Sequence, residues 1–106
     1  MNFEVGDKLT HYSFRGGKLY IKEGVIKEVN SRWYSLRFVF EGGQMYPPRE
    51  AKIGVVTHSG PSVWLRGRDD EFAKKLLIEY EKERIAELQE KIDERNRIIE
   101  VLEKSN

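Results

Sequence analysis

Trp33 and Arg37 fall on one face of an alternating segment, and Arg32 stands beside them at its start. A large aromatic next to guanidinium groups offers a base a stacking surface and a phosphate charge-assisted hydrogen bonds. The turn Arg15-Gly16-Gly17-Lys18 adds two cations and the backbone N–H groups of a tight connection to the same rim, with Tyr46 as a further aromatic. Arg66-Gly67-Arg68 forms a second basic patch. A plainer reading stands beside each of these. Trp33 packs under Phe72 or Tyr80 of a following helix, the arginines pair with Glu23 and Glu28 or stay solvated, and Arg66 and Arg68 belong to a solvated linker.

Covalent and acid–base chemistry has no comparable foothold. His11 and His58 stand far apart in the chain, with no cysteine to join them and no metal-binding spacing. The chain contains no phosphate loop, no nucleophile elbow and no carboxylate pair in its first 68 residues spaced for acid–base work. Ser59 and Ser62 flank Gly60-Pro61 in what is most simply a turn. The expectation is a protein without catalytic activity, cofactor or metal.

The elements that must position these groups divide sharply. All 9 glycines and all 3 prolines lie before residue 69, and the remaining chain has neither. Gly and Pro punctuate turns, whereas a long stretch without them, rich in Glu, Lys, Arg, Leu and Ile, reads as one helix. Charge breaks at the same place: residues 1–68 carry a net +5 and residues 69–106 a net −4, within a total of +1. The domain reading is a basic β-domain at 1–68 and a long oligomerisation helix at 69–106.

Within the β-domain, Leu9 to Phe14 reads as a strand, Gly16-Gly17 as a turn, and Leu19 to Val29 as a second strand bent at Gly24. Arg32 to Glu41 alternates most cleanly, with Tyr34, Leu36, Phe38 and Phe40 on one face and Trp33, Ser35, Arg37 and Val39 on the other. Gly42-Gly43 signals a hairpin into a short strand that ends at Pro47-Pro48. Ala51 to Thr57 and Ser62 to Arg66 supply one or two last strands. Five or six short antiparallel strands with tight turns favour a small closed barrel, which removes exposed edges.

The segments "VGDKL", "EGVIKEV" and "YSLRFVFEGGQMYPP" resemble the SH3-like small barrels of the Tudor and KOW kind over about residues 4–57. That resemblance implies a binding barrel for nucleic acid or peptide. The aromatic cage of the methyl-lysine readers in that class would have to be assembled from Tyr12, Trp33 and Tyr46.

Asp69-Asp70-Glu71 suits a helix start, where an N-cap oxygen and negative charge satisfy free N–H groups and the helix dipole. A helix from there to Lys104 spans roughly 54 Å, about twice the diameter of the domain before it. Its first half, through Phe72, Leu76, Leu77 and Tyr80, is suited to that domain. Beyond it the apolar stripe narrows to Ile85, Leu88, Ile92, Ile99 and Leu102, a heptad seam with Ile at a and Leu at d. Arg95 fills the missing d position and Glu81 an earlier one. A parallel pair sets Arg95 against its own copy, while an antiparallel pair lets it approach acids such as Glu81. The expected fold is therefore α+β, an SH3-like barrel followed by a helix that forms a coiled coil or bundle.

Without cysteine, a leader-like N-terminus or a roughly 20-residue apolar run, the chain is expected to be soluble and cytoplasmic, away from membranes. The first functional expectation is an oligomeric binding protein for a phosphate-bearing ligand, a nucleotide or nucleic acid. The modest +5 suits a small nucleotide better than a long strand. In layout, a barrel with an oligomerising helix is similar to phage proteins that sequester cyclic-nucleotide immune signals. The alternative is a protein-binding adaptor or inhibitor acting on a host protein, as small phage accessory proteins do.

Overall fold

The alternation seen in the sequence becomes an antiparallel meander in the computed structural model, which describes residues 3–30, 35–48, 51–57 and 61–105. Its strands are β1 (Lys8–Arg15), β2 (Lys18–Asn30), β3 (Ser35–Phe40), β4 (Gly43–Met45) and β5 (Ser62–Arg66), followed by helix α1 (Asp70–Lys104). The five strands form one sheet in the order β4-β3-β2-β1-β5. Gly16 and Gly17 both hold positive φ, so the two-residue turn sets Arg15 opposite Lys18 and fixes the whole β1–β2 register.

Gly24 stays in register rather than forming the expected bend. The irregularity falls between Ile26 and Glu28. Gly24 is required for another reason: a Cβ there would collide with the Val39 carbonyl and come within 2.8 Å of the Phe38 ring. Close approach of β3 explains the glycine.

Because side chains alternate, the sheet buries both faces. One face gathers Leu9, Ile26, Leu36, Phe38 and Trp64 with Phe3 and Ala51. Trp64 lies at its centre, with Phe38 edge-on at 4.9 Å and Phe3 at 5.9 Å. The opposite face gathers Tyr12, Val63 and Leu65 against Ala73 and Leu77 of α1. Val63, Trp64 and Leu65 are consequently all buried, although successive residues point to opposite sides.

The α+β arrangement matches expectation, but the sheet is not a closed barrel. Among the described residues the segment 51–57 forms no strand. Among the described residues its β-bridges are isolated ones, Ile53 with Trp64 and Thr57 with Ser62. Too few ladder hydrogen bonds join β4 to β5 through this segment to complete a ring. The helix and the first residues of the chain cover the faces instead.

Asp69 caps α1 by accepting a hydrogen bond from the Phe72 N–H at 3.0 Å, and Asp70 and Glu71 occupy the first turn. Docking is shorter than the half-helix expected. Only Ala73 and Leu77 are buried in α1, and every described residue from Glu81 onward is exposed. The i, i+4 pair Ala73/Leu77 faces the sheet and leaves Phe72 half outside, so the small alanine, not the aromatic, makes the contact. The molecule consequently extends 66 × 33 × 21 Å. Among the described residues, no helix is long and apolar enough to cross a membrane.

Candidate functional site

The β1–β2 turn register determines which side chains share a face. His11 pairs with Lys22, Ser13 with Tyr20, and Arg15 with Lys18, while on the other side of β1 His11 pairs with Trp64 and Ser13 with Ser62. Leu9 of the same alternating set is core. Toward the turn the set becomes polar, and the hydrophobic core opens into a pocket.

This pocket encloses about 290 Å³ between β1, β2, β5 and the segments carrying Met45, Pro48 and Thr57. Arg15 and Lys22 supply positive charge, and no carboxylate belongs to the described residues that line it. Each cation rests on a ring: the Arg15 guanidinium lies 4.8 Å from the centre of Tyr20, and the Lys22 ammonium 4.8 Å from that of Phe40. These contacts hold the charges without neutralising them. Ser13, Ser62 and Thr57 contribute hydroxyl groups, the last two joined at 2.7 Å.

His11 forms part of the wall. Its ring lies 4.3 Å from that of Trp64 at 41°, and it is 7% exposed. Its Nδ1 is buried with no hydrogen-bond partner among the described residues. Burial, followed by the nearby Lys22 and Arg15 charges, pushes the imidazole down to about 4. The ring is neutral at pH 7 and retains hydrogen-bonding capacity that the fold does not use. Chemically, the pocket can attract an anion, hydrogen-bond it, and place an uncharged polar group of the ligand beside His11. Among the described residues no three side chains converge as a metal site would require.

Of the residues singled out by sequence, Arg15 lines this pocket and Lys18 stands across the turn from it, exposed. Arg32 and Trp33 lie outside the described residues. Arg37 projects from the opposite face of β3 and pairs with Glu28 at 3.4 Å. Tyr46 is exposed and its hydroxyl accepts from Gln44 Nε2 at 3.2 Å, while its neighbour Met45 reaches the pocket. Tyr12 is sealed beneath α1, which separates it from Tyr46 and from any shared aromatic cage.

The second basic patch is engaged in ion pairs. Arg66 meets Asp7 at 2.9 Å, and Arg68 forks onto both oxygens of Asp70 at 3.0 and 3.1 Å while reaching Glu23 at 3.2 Å. Arg68 first, and the Tyr12 hydroxyl second, hold the Asp70 carboxyl below the usual carboxylate range. These contacts latch the helix start to the sheet.

Sequence reading missed His11, Lys22 and Trp64 as site residues. The signal for two of them was present: once Arg15-Gly16-Gly17-Lys18 is a tight turn, counting back along both strands sets His11 opposite Lys22. Trp64 enters only through the long-range pairing of β1 with β5.

The six seam positions Ile85, Leu88, Ile92, Arg95, Ile99 and Leu102 all lie on the exposed part of α1. Its five apolar members are 50–66% exposed in the single chain. Comparison with protein-family models, curated proteins and solved structures finds no match.

Proposed function

We propose that this chain is a non-enzymatic, cytoplasmic binding protein that self-associates through α1 and holds a small phosphate-bearing ligand, such as a mononucleotide, in the His11–Lys22–Arg15 pocket. The observation that carries this reading is the joint placement of two cations and the unpartnered, buried His11 Nδ1, with no carboxylate among the described lining residues. Scale favours a small ligand. A 290 Å³ pocket with two charges suits one phosphate and part of a base, whereas a nucleic-acid strand needs a longer basic track.

Calorimetric titration with AMP, adenosine and a short oligothymidylate tests the proposal. AMP is expected to bind more tightly than adenosine or the oligonucleotide. Lys22→Ala is expected to weaken AMP about 10-fold or more, the magnitude of one lost charge-assisted hydrogen bond. Equal affinity for AMP and adenosine, or indifference to Lys22→Ala, would refute the phosphate role. A second reading, a protein-binding adaptor acting on a host protein, draws on a different observation: the apolar groove beside α1.

A further inference from the structure

Between the β1–β2 turn and the near half of α1 runs an apolar groove of about 710 Å³, walled on the sheet side by Phe14, Leu19 and Pro61. Its helix side consists of Lys74, Leu77, Ile78, Glu81, Lys82 and Ile85. Continuing the seam backward from Ile85 places Ile78 at a, Lys74 and Glu81 at d, and Leu77 and Lys82 at the flanking g and e positions. All six helix residues of the groove thus belong to the seam or its edges. The groove is the seam's own N-terminal end with a wall of sheet added to one side.

We propose that the groove is filled by the C-terminal end of α1 from a second copy of this chain, running antiparallel, with Leu102 of one copy beside Ile78 of the other. This inference rests on the self-association proposed above and adds its direction, register and seat.

Charge complementarity and apolar matching together select the arrangement. Beyond Lys74 at its N-terminal end, the seam is interrupted by two charged d residues of opposite sign, Glu81 and Arg95. Pairing Ile78 with the partner's Leu102 also pairs Leu88 with Ile92. It sets Arg95 roughly 6 Å along the axis from the partner's Glu81, four residues at 1.5 Å each. Moving the pair one heptad toward the C-termini separates these charges and brings the two Arg95 residues within a turn of each other. Moving it one heptad the other way keeps Arg95 three residues from the partner's Glu81 but sets Ile99 against Lys74 and Leu102 against Glu71, so apolar matching disfavours it. A parallel pair opposes Arg95 to itself. It also offers the groove the helical segment that carries the partner's own sheet through Ala73 and Leu77. Only an antiparallel partner brings a bare end, with Ile99 and Leu102 about half to two-thirds exposed. Both grooves are filled symmetrically, each free helix end lying against the other copy's sheet.

The absence of cysteine makes the test direct. Ile78→Cys and Leu102→Cys chains are prepared separately and mixed under mild oxidation, alongside each alone and alongside Ile85→Cys mixed with Leu102→Cys. Efficient disulfide formation is expected only in the Ile78→Cys plus Leu102→Cys mixture. Homodimers of Leu102→Cys would establish a parallel pair, and preferential linkage through Ile85→Cys the shifted register; either overturns the inference while self-association stands. A monomer by sedimentation at every concentration would remove both. Independently of any cysteine, Glu81→Arg is expected to weaken the dimer about 10-fold and the double swap Glu81→Arg/Arg95→Glu to restore it. Failure of the double swap to recover affinity would also overturn the pairing.

Discussion

His11 stands where the core-facing side of β1 gives way to the pocket. Its position on β1 makes it half of a stack with Trp64, and burial, followed by the neighbouring Lys22 and Arg15 charges, makes its protonation costly. The sign of the resulting pH dependence follows. The folded imidazole takes up a proton near 4, the unfolded one near 6.5, so the unfolded chain binds the extra proton first as pH falls. Stability is therefore unaffected by His11 above about pH 7 and declines between about 6.5 and 4, by up to about 3 kcal/mol. Denaturant midpoints of the protein and of His11→Phe measured at pH 7 and 4.5 check this. The difference between the two pH values should shrink in the variant, and an unchanged difference would exclude His11 as its source. A bound phosphate would oppose the same effect, because an anion stabilises the imidazolium. An NMR titration of the His11 ring in saturating AMP should move its midpoint upward from about 4.

At the scale of elements, the junction between sheet and helix carries most of the order in the chain. The Tyr12 hydroxyl donates to Asp70 at 2.8 Å and accepts from the Asp69 N–H at 3.0 Å, so one buried phenol holds both the cap and the first turn of α1. Burial and the Asp70 contact raise its pKa to about 12, which keeps the donor protonated at neutral pH. The Thr10 hydroxyl reaches the Gly67 carbonyl at 2.6 Å just upstream, and Arg68 ties Asp70 to Glu23. Tyr12→Phe preserves the ring packing but leaves the Asp69 N–H without that acceptor. It is expected to destabilise the fold by about 1–3 kcal/mol in denaturant unfolding, and a midpoint within error of the parent would show the latch to be redundant. Three acids in sequence already announced a helix start. That Asp70 would face Tyr12, and that Arg66 and Arg68 would reach Asp7 and Glu23, depended on residues far back in the chain.

For the whole molecule the dominant fact is proportion. A sheet buried on both faces supports a helix whose described residues from Glu81 onward are all exposed. Most helical stability in proteins comes from packing an apolar face rather than from intrinsic propensity. The seam thus predicts that helix content and thermal stability rise with protein concentration, since association stabilises the folded form by mass action. Circular dichroism melts over a hundredfold concentration range check this, and a midpoint independent of concentration in a monomeric sample would contradict it.

Local order was legible because its causes are local: paired glycines forced the first turn, alternation set the faces of β3, and three acids marked the start of α1. Heptad spacing likewise marked the apolar stripe that α1 leaves exposed. The open sheet, the shallow docking of the helix on Ala73 and Leu77, and the convergence of His11, Lys22, Arg15 and Trp64 were decided only in three dimensions. Those features depend on how β5 returns beside β1, a pairing between distant segments whose energy lies in shared burial rather than in any residue's own preference.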